Sequence, residues 1–306
     1  MYKPIRYVKS SDTNLSVKVF YFSLEMSKEQ KLRQAICNHL YIESNGKTRI
    51  DPKSLRSVRK AVDKDILDKV GASKDYFDDF EKNVTFIDNI KNPYGIYKYM
   101  KNYAEANGKI HMKTKVFVDN KTGVKTKNLI HDYYEPDNPD EYVIIIVDHA
   151  SLLHPEKGQR LHDAITKLSS DYFITLRNRY NFIPVLVQQQ SAAQESVENM
   201  KANRLKPTLD GLGDNKLTQR DCDVALGLFS PFRHRIKMYP ERNGYDIMFF
   251  KDSIRFLEVL ASREGGGSSI CPLYFDGAVN YFKELPLLSD EKKLNELKYF
   301  IKNNRK

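Results

Sequence analysis

The chain has 306 residues, with 50 lysines and arginines against 40 aspartates and glutamates, a formal net charge of +10. That length is enough to bury a large core, and the basic balance favours a polyanionic partner such as nucleic acid or nucleotide phosphate while saying nothing about fold. Three cysteines without metal-ligand spacing argue against a disulfide scaffold, and no apolar stretch is long enough to span a bilayer or serve as a signal peptide, so a cytoplasmic protein with no membrane association is expected.

In chain order, Val17–Leu24 (VKVFYFSL) reads as a first strand, ending in Glu25. A helix follows from Ser27, with Gln30 at capping-box spacing. Residues 51–82 are polar and helical in tendency. Val84–Ile87 is a short strand, and a helix runs from about Tyr94 to Ala106 with Pro93 near its start. Residues 110–142 interrupt this alternation. VFVDNKTGVKTK carries hairpin turn chemistry and YYEPDNPDEY reads as a loop, so the segment is expected to be an insertion.

Val143–Val147 is an unbroken run of β-branched residues, as in a strand buried on both faces of a parallel sheet, and it ends in Asp148. In open α/β sheets ligands bind beyond the carboxyl ends of the strands, which places Asp148 to hold a metal ion. An aspartate that merely opens a turn is the competing reading. Gly158–Tyr180 has helical apolar spacing at Leu161, Ile165, Leu168, Tyr172 and Leu176. Ile183–Val187 is another buried strand and runs into Gln188, Gln189 and Gln190. Residues 191–220 have no strong periodicity, and loops of that length are commonly functional. Asp223–Phe229, Ile236–Tyr239, Asp246–Phe250 and Phe256–Leu260 read as strands, with a final one near Cys271–Phe275 after the cluster Gly265–Gly267. The tail from Ser289 to Lys306 is a short basic amphipathic helix.

Polar residues thus sit at the ends of successive buried strands: Glu25, Asp148 and Gln190. A phosphate-cleaving site needs a carboxylate for metal, a second to orient or deprotonate water, and a neutral donor near the transferred group. The plainer alternative has Glu25 capping the next helix and the glutamines exposed at a strand end.

The segments FYFSLEMS (Phe20–Ser27), IIIVDHASLL (Ile144–Leu153), IPVLVQQQS (Ile183–Ser191), LDGLGDNKLTQRDCDVALGL (Leu209–Leu228) and ASREGG…CPLYFDGAVNYF (Ala261–Phe282) together resemble the motor domain of DnaB-type replicative helicases, hexameric ring ATPases with a RecA-like core. The resemblance covers nearly the whole chain. It implies an α/β fold with a mostly parallel sheet flanked by helices over residues 1–288, a β-hairpin insertion at about 110–142 and a basic helical tail over 289–306.

The resemblance further implies ATP and Mg2+ as cofactors, with Glu25 as the water-activating carboxylate, Asp148 on the metal and Gln190 as the γ-phosphate sensor coupled to the DNA-binding loops. Arg263 of SREGG matches the arginine finger that enters a neighbouring subunit's nucleotide site; a guanidinium suits that task because it meets phosphate bidentately and stays charged. The family's lysine two residues earlier is replaced by Ala261. The implied partners are single-stranded DNA and further copies in a hexameric ring.

For the DNA, Lys201, Arg204, Lys206, Lys216 and Arg220 are the candidate phosphate contacts, against the reading of a merely solvated basic loop. The matching loop, GLGDNK, has Gly213 where the family has arginine and Lys216 where it has glycine.

One element of the family is missing from these residues. A RecA-type ATPase needs G-x-x-x-x-G-K-[ST] to cradle phosphate. The Gly46-Lys47-Thr48 triplet does not supply it, because the first glycine would fall at Tyr41, and Asn45-Gly46 reads as a turn. The expectation is a motor truncated at its N-terminus, its P-loop strand missing from between the Asp148 and Gln190 strands. That gap should leave strand edges unpaired and the isolated chain poorly soluble. Three explanations compete: a separate polypeptide carrying the P-loop completes it, the gene as read is incomplete, or the subunit is degenerate and does not hydrolyse. The alternative function is a non-catalytic nucleic-acid-binding or ring-assembly subunit.

Overall fold

A computed structural model describes residues 13–56, 62–191, 194, 196, 198–199, 204–213, 215–240, 243–266 and 269–303. They divide into two compact units, one built from residues up to Lys28 with Lys74–Gln189, the other from Glu29–Ser73 with Gln190–Lys306. No helix among the described residues is long and apolar enough to cross a membrane.

The first unit holds β1 (Ser16–Ser23), β2 (Val84–Ile87), β3 (Gly108–Val118), β4 (Lys125–Pro136), β5 (Glu141–Asp148) and β6 (Ile183–Leu186). Four of them form a parallel sheet in the order β2-β1-β5-β6. Parallel strands need crossovers, and these are supplied by the helices Lys74–Asn83, Pro93–Ala106 and the interrupted helix Leu161–Tyr180. Phe20, Phe22, Ile145 and Val147 point to one face and pack with Ile96, Met100, Ile165, Leu168 and Leu176 from the helices.

The opposite face is less covered. Val143, Ile145 and Val147 are buried but Ile144 and Ile146 only partly so, and the expected burial of this strand on both faces is not met. Beside it Ile183, Val185 and Val187 are 41 %, 40 % and 39 % exposed. The strand spacing also differs from expectation. β5 pairs directly with β6, from Ile144 opposite Ile183 to Val147 opposite Leu186, so no gap is left between the Asp148 and Gln190 strands. The open edge lies on the far side of β6. On the inner side the Val187 N–H donates to the Val147 carbonyl and the Val187 carbonyl accepts from the Ala150 N–H. By the two-residue alternation Pro184 and Leu186 turn their backbone groups outward, and a proline, having no N–H to donate, suits that edge.

Three local expectations are corrected. The segment YYEP is strand rather than loop, because Tyr134 is buried and its hydroxyl donates to the carbonyls of Ala104 and Asn107, pinning β4 to the helix. The helix expected from Gly158 begins at Leu161: Gly158 has φ +83°, and the Arg160 N–H donates to Asp163 at the helix start. Of the strand expected over Asp246–Phe250 only Asp246 is extended; it caps the short helix Ile247–Phe250 by accepting from the Phe249 N–H at 3.0 Å.

The second unit has β7 (Val224–Phe229), β8 (Met238–Tyr239), β9 (Tyr245–Asp246), β10 (Ile254–Ser262), β11 (Ile270–Asp276) and β12 (Tyr281–Glu284), the last unforeseen from sequence. Its main sheet is antiparallel, in the order β12-β11-β10-β7. The C-terminal helix Glu291–Asn303 docks Leu294 and Ile301 into a core with Phe250, Ile254 and Phe256. Gly46 has φ +84° and its N–H donates to the Tyr41 carbonyl, which makes it the stop of the helix Lys28–Glu43. Arg49 grips the buried Asp276 through two hydrogen bonds, at 2.7 and 3.0 Å.

The unequal faces of the parallel sheet have a measurable consequence. Ile145→Ala is expected to lower the unfolding free energy by about 2–5 kcal/mol, and Ile144→Ala by less than half of that loss, in urea melts. Equal losses would mean that both faces are packed.

Candidate active site

The site is set by strand register. β1 and β5 run parallel with Ser23 opposite Asp148, and the Leu24 N–H donates to the Asp148 carbonyl at 2.9 Å. Both chains therefore leave the sheet at the same level, and Glu25 emerges beside Asp148. Sequence reasoning placed both acids at the carboxyl end of the sheet, and the structure brings these two together.

The Glu25 carboxylate is 65 % exposed, so water reaches it. It does not cap the following helix. That task falls to Asp88, just past β2, which accepts from the Lys28 N–H at 2.8 Å. Lys91 holds the Glu25 turn by donating to the Leu24 carbonyl at 2.9 Å, and the Ser23 hydroxyl donates to the Met26 carbonyl at 2.6 Å.

Asp148 is oriented by Tyr21, whose hydroxyl donates to Oδ2. Burial first, and then this hydrogen bond, push the Tyr21 pKa well above its ordinary value, so the phenol remains a donor at any physiological pH. Mg2+ is typically held by one or two carboxylates together with water and phosphate oxygens. No group of three or more His, Cys, Asp or Glu side chains among the described residues could hold a metal ion by itself. A strand-end carboxylate with a fixed rotamer fits the protein's share of such a shell.

Behind the two acids stands His149, which sequence reasoning passed over. It is buried, its Nε2 lies 4.0 Å from a Glu25 oxygen and 3.5 Å from Gln189 Nε2, and its Nδ1 is buried without a hydrogen-bond partner. An ionisable residue directly after a strand-end aspartate was the available signal. Tyr21 had none, because its approach to Asp148 depends on the pairing of two distant strands.

Gln190 and Arg263 belong to the second unit. The Gln190 side chain is already engaged there: Nε2 donates to the Thr208 carbonyl at 3.1 Å, Oε1 accepts from the Thr208 N–H at 3.5 Å, and its backbone bridges to Leu212. Gly211 makes this possible, since a Cβ there would lie 2.0 Å from Gln190 Oε1. Arg263 follows β10 and its side chain is 51 % exposed; its guanidinium reaches Asp223 at 3.5 Å and donates to the Arg220 carbonyl.

Arg204, Lys206, Lys216 and Arg220 are exposed and make no side-chain ion pair among the described residues. Lys201 and Gly267 lie outside those residues.

No protein-family model matches the chain, and no curated protein matches its sequence. Among solved structures it is similar to a DnaB-like replicative helicase studied with its interactions with primase, at 15 % identity and a TM-score of 0.58 over 89 % of this chain and 52 % of that one. The likeness is one of fold. A second similar structure is an ATPase domain, at 15 % identity and a TM-score of 0.60, covering 90 % of this chain and 76 % of that one. The chain spans about half the length of the first of these, and the mixed α/β architecture around a parallel sheet is RecA-like.

The clasp between Gln190 and the 208–212 loop can be measured. Gln190→Ala and Gly211→Ala remove the same contact, so their stability losses are expected to be non-additive by about 0.5–3 kcal/mol in a double-mutant cycle. Additive losses would show that the two do not communicate.

Proposed function

We propose that this chain is the motor of a DnaB-like replicative helicase, hydrolysing Mg-ATP at the interfaces of a hexameric ring and translocating on single-stranded DNA. The observation that carries the reading is the placement of Glu25 and Asp148 at the carboxyl ends of adjacent parallel strands, one acid open to water and the other held by a tyrosine hydroxyl. The fold shared with helicase ATPase domains supports it.

In this reading Asp148 would hold Mg2+, which would supply positive charge to offset the charge that develops on the phosphate oxygens. Glu25 takes the proton of the attacking water. A general base must lie within reach of that proton, and a carboxylate open to water supports this role for Glu25. His149, 4.0 Å away, positions Glu25 and limits its swing. Tyr21 keeps Asp148 in one rotamer.

Gln190 exchanges its Thr208 contacts for the terminal phosphate, and the 208–212 loop moves with it. That loop and Arg204, Lys206, Lys216 and Arg220 then grip or release the DNA backbone. Arg263 leaves Asp223 to reach the neighbouring protomer's nucleotide. The residues that carry these steps belong to one motor domain spanning residues 1–288, working in the cytoplasm.

The phosphate-cradling loop is supplied from outside these 306 residues, by a further stretch of the same protein or by another polypeptide. The open edge of β6 and the bare aliphatic row Ile183, Val185 and Val187 support this, because a strand, loop and helix added there would pair the one and cover the other.

The test is ATP hydrolysis by the chain alone and with a polypeptide bearing a strand, the G-x-x-x-x-G-K-[ST] loop and a helix. Activity is expected only in the mixture, and Glu25→Gln should lower its kcat by about 100- to 10,000-fold while nucleotide binding persists. Mixing Glu25→Gln with Arg263→Ala chains should recover part of the activity that neither has alone, since each provides what the other lacks across an interface. A mixture that binds nucleotide yet never hydrolyses it would leave a non-catalytic ring subunit as the function.

A further inference from the structure

The hairpin of β3 and β4 is stranded in solvent. Its base is anchored by Ile110 and Tyr134 in the core of the first unit, but residues 112 to 129 are exposed without exception. Strands of 11 and 12 residues at ~3.4 Å per residue make a ribbon whose outer half touches only itself. A two-stranded hairpin standing alone in water is marginally stable at best. The strands nevertheless keep their β-branched and aromatic residues, with Val116, Phe117 and Val118 being 48 %, 43 % and 51 % exposed. Such an arm is built to be covered.

Its charge identifies the occupant. Near the base the side chains are paired: Lys113 with Asp132 and His111 with Glu135, both at 2.7 Å. Beyond Thr114 they are not. Lys115, Lys121, Lys125 and Lys127 face one acid, Asp119, so the outer arm carries 4 − 1 = +3. None of the four lysines has an ion-pair partner among the described residues.

Asp119 is spent on the turn itself, accepting from the N–H groups of Lys121 and Thr122 at 2.7 and 3.0 Å. The lysines are spread over both faces. Lys115, over the Phe117 ring at 5.4 Å, shares a face with Phe117 and Thr126, while Lys125 and Lys127 lie opposite Val118 and Val116 on the other, with Lys121 at the tip.

A protein interface would place such lysines at its rim and leave a dry apolar centre, because interface cores are depleted of lysine. A ribbon ringed by unpaired ammonium groups instead suits a partner with phosphates on both sides. The major groove of a duplex admits a two-stranded β-ribbon and lines it with phosphates along both walls. We propose that the outer half of the β3–β4 hairpin is a duplex-binding arm, inserted into a nucleic-acid groove and holding the backbone through Lys115, Lys121, Lys125 and Lys127. This contact is separate from the single-strand contact proposed for the 204–220 region and does not depend on nucleotide hydrolysis.

The experiment compares binding of a labelled DNA duplex and a single strand of equal length, by fluorescence anisotropy across a salt series. It uses wild type, an arm variant (K115Q, K121Q, K125Q and K127Q together) and a loop variant (R204Q, K206Q, K216Q and R220Q together). Thermal melts verify that each variant is folded. The arm variant is expected to lose at least ~10-fold in duplex affinity at ~0.1 M salt and to lower the slope of log K against log salt by about 2–4, with its single-strand affinity unchanged. The loop variant should do the reverse. Duplex binding with unchanged slope in the arm variant overturns the proposal, as does an arm variant that alters only self-association in light scattering. The latter outcome would assign the arm to a second copy of the chain.

Discussion

The backbone register between β1 and β5 is the constraint on which the site depends. Because side chains alternate and parallel strands keep level, setting Ser23 opposite Asp148 decides at once that Tyr21 reaches the aspartate and that Glu25 leaves the sheet beside it. A slip of one residue would turn the core pair of whichever strand moved, Phe20 and Phe22 or Ile145 and Val147, out of the core. The packing that stabilises the first unit is thus the same packing that positions its two acids, and neither can drift without the other.

Around that pair the structure distinguishes acids that are committed from those that are available. Asp88 sits at a strand end like the others but caps a helix, and Asp276 is buried against Arg49. Glu25 retains an exposed carboxylate, with a histidine rather than a backbone donor nearby. Burial without a partner on His149 Nδ1 is costly for a polar atom.

The two unsatisfied surfaces of the first unit differ in chemistry. The edge of β6 and the row Ile183, Val185 and Val187 are aliphatic and uncharged, matching a strand and helix. The hairpin arm mixes aliphatic residues with unpaired lysines, matching a polyanion. Exposed apolar surface asks for a partner in both places, and charge decides which partner each accepts.

Much of this was legible in the residues alone. The β-branched run ending in Asp148, the strand ending in Glu25, the span Val84–Ile87 and the helix after Pro93 follow from periodicity and capping, which are local. So does the reading of Asn45-Gly46 as a turn rather than part of a phosphate loop. The hairpin was visible from its turn, but its length was not, since Tyr134 extends β4 through a contact with a helix some thirty residues earlier. The direct pairing of β5 with β6, the half-bare sheet face, Tyr21 on Asp148 and His149 beside Glu25 join residues separated by up to 127 positions. Local pattern can state which residues a strand offers to each of its faces. Which strand lies beside it, and therefore which side chains meet, is decided only when the whole chain has packed.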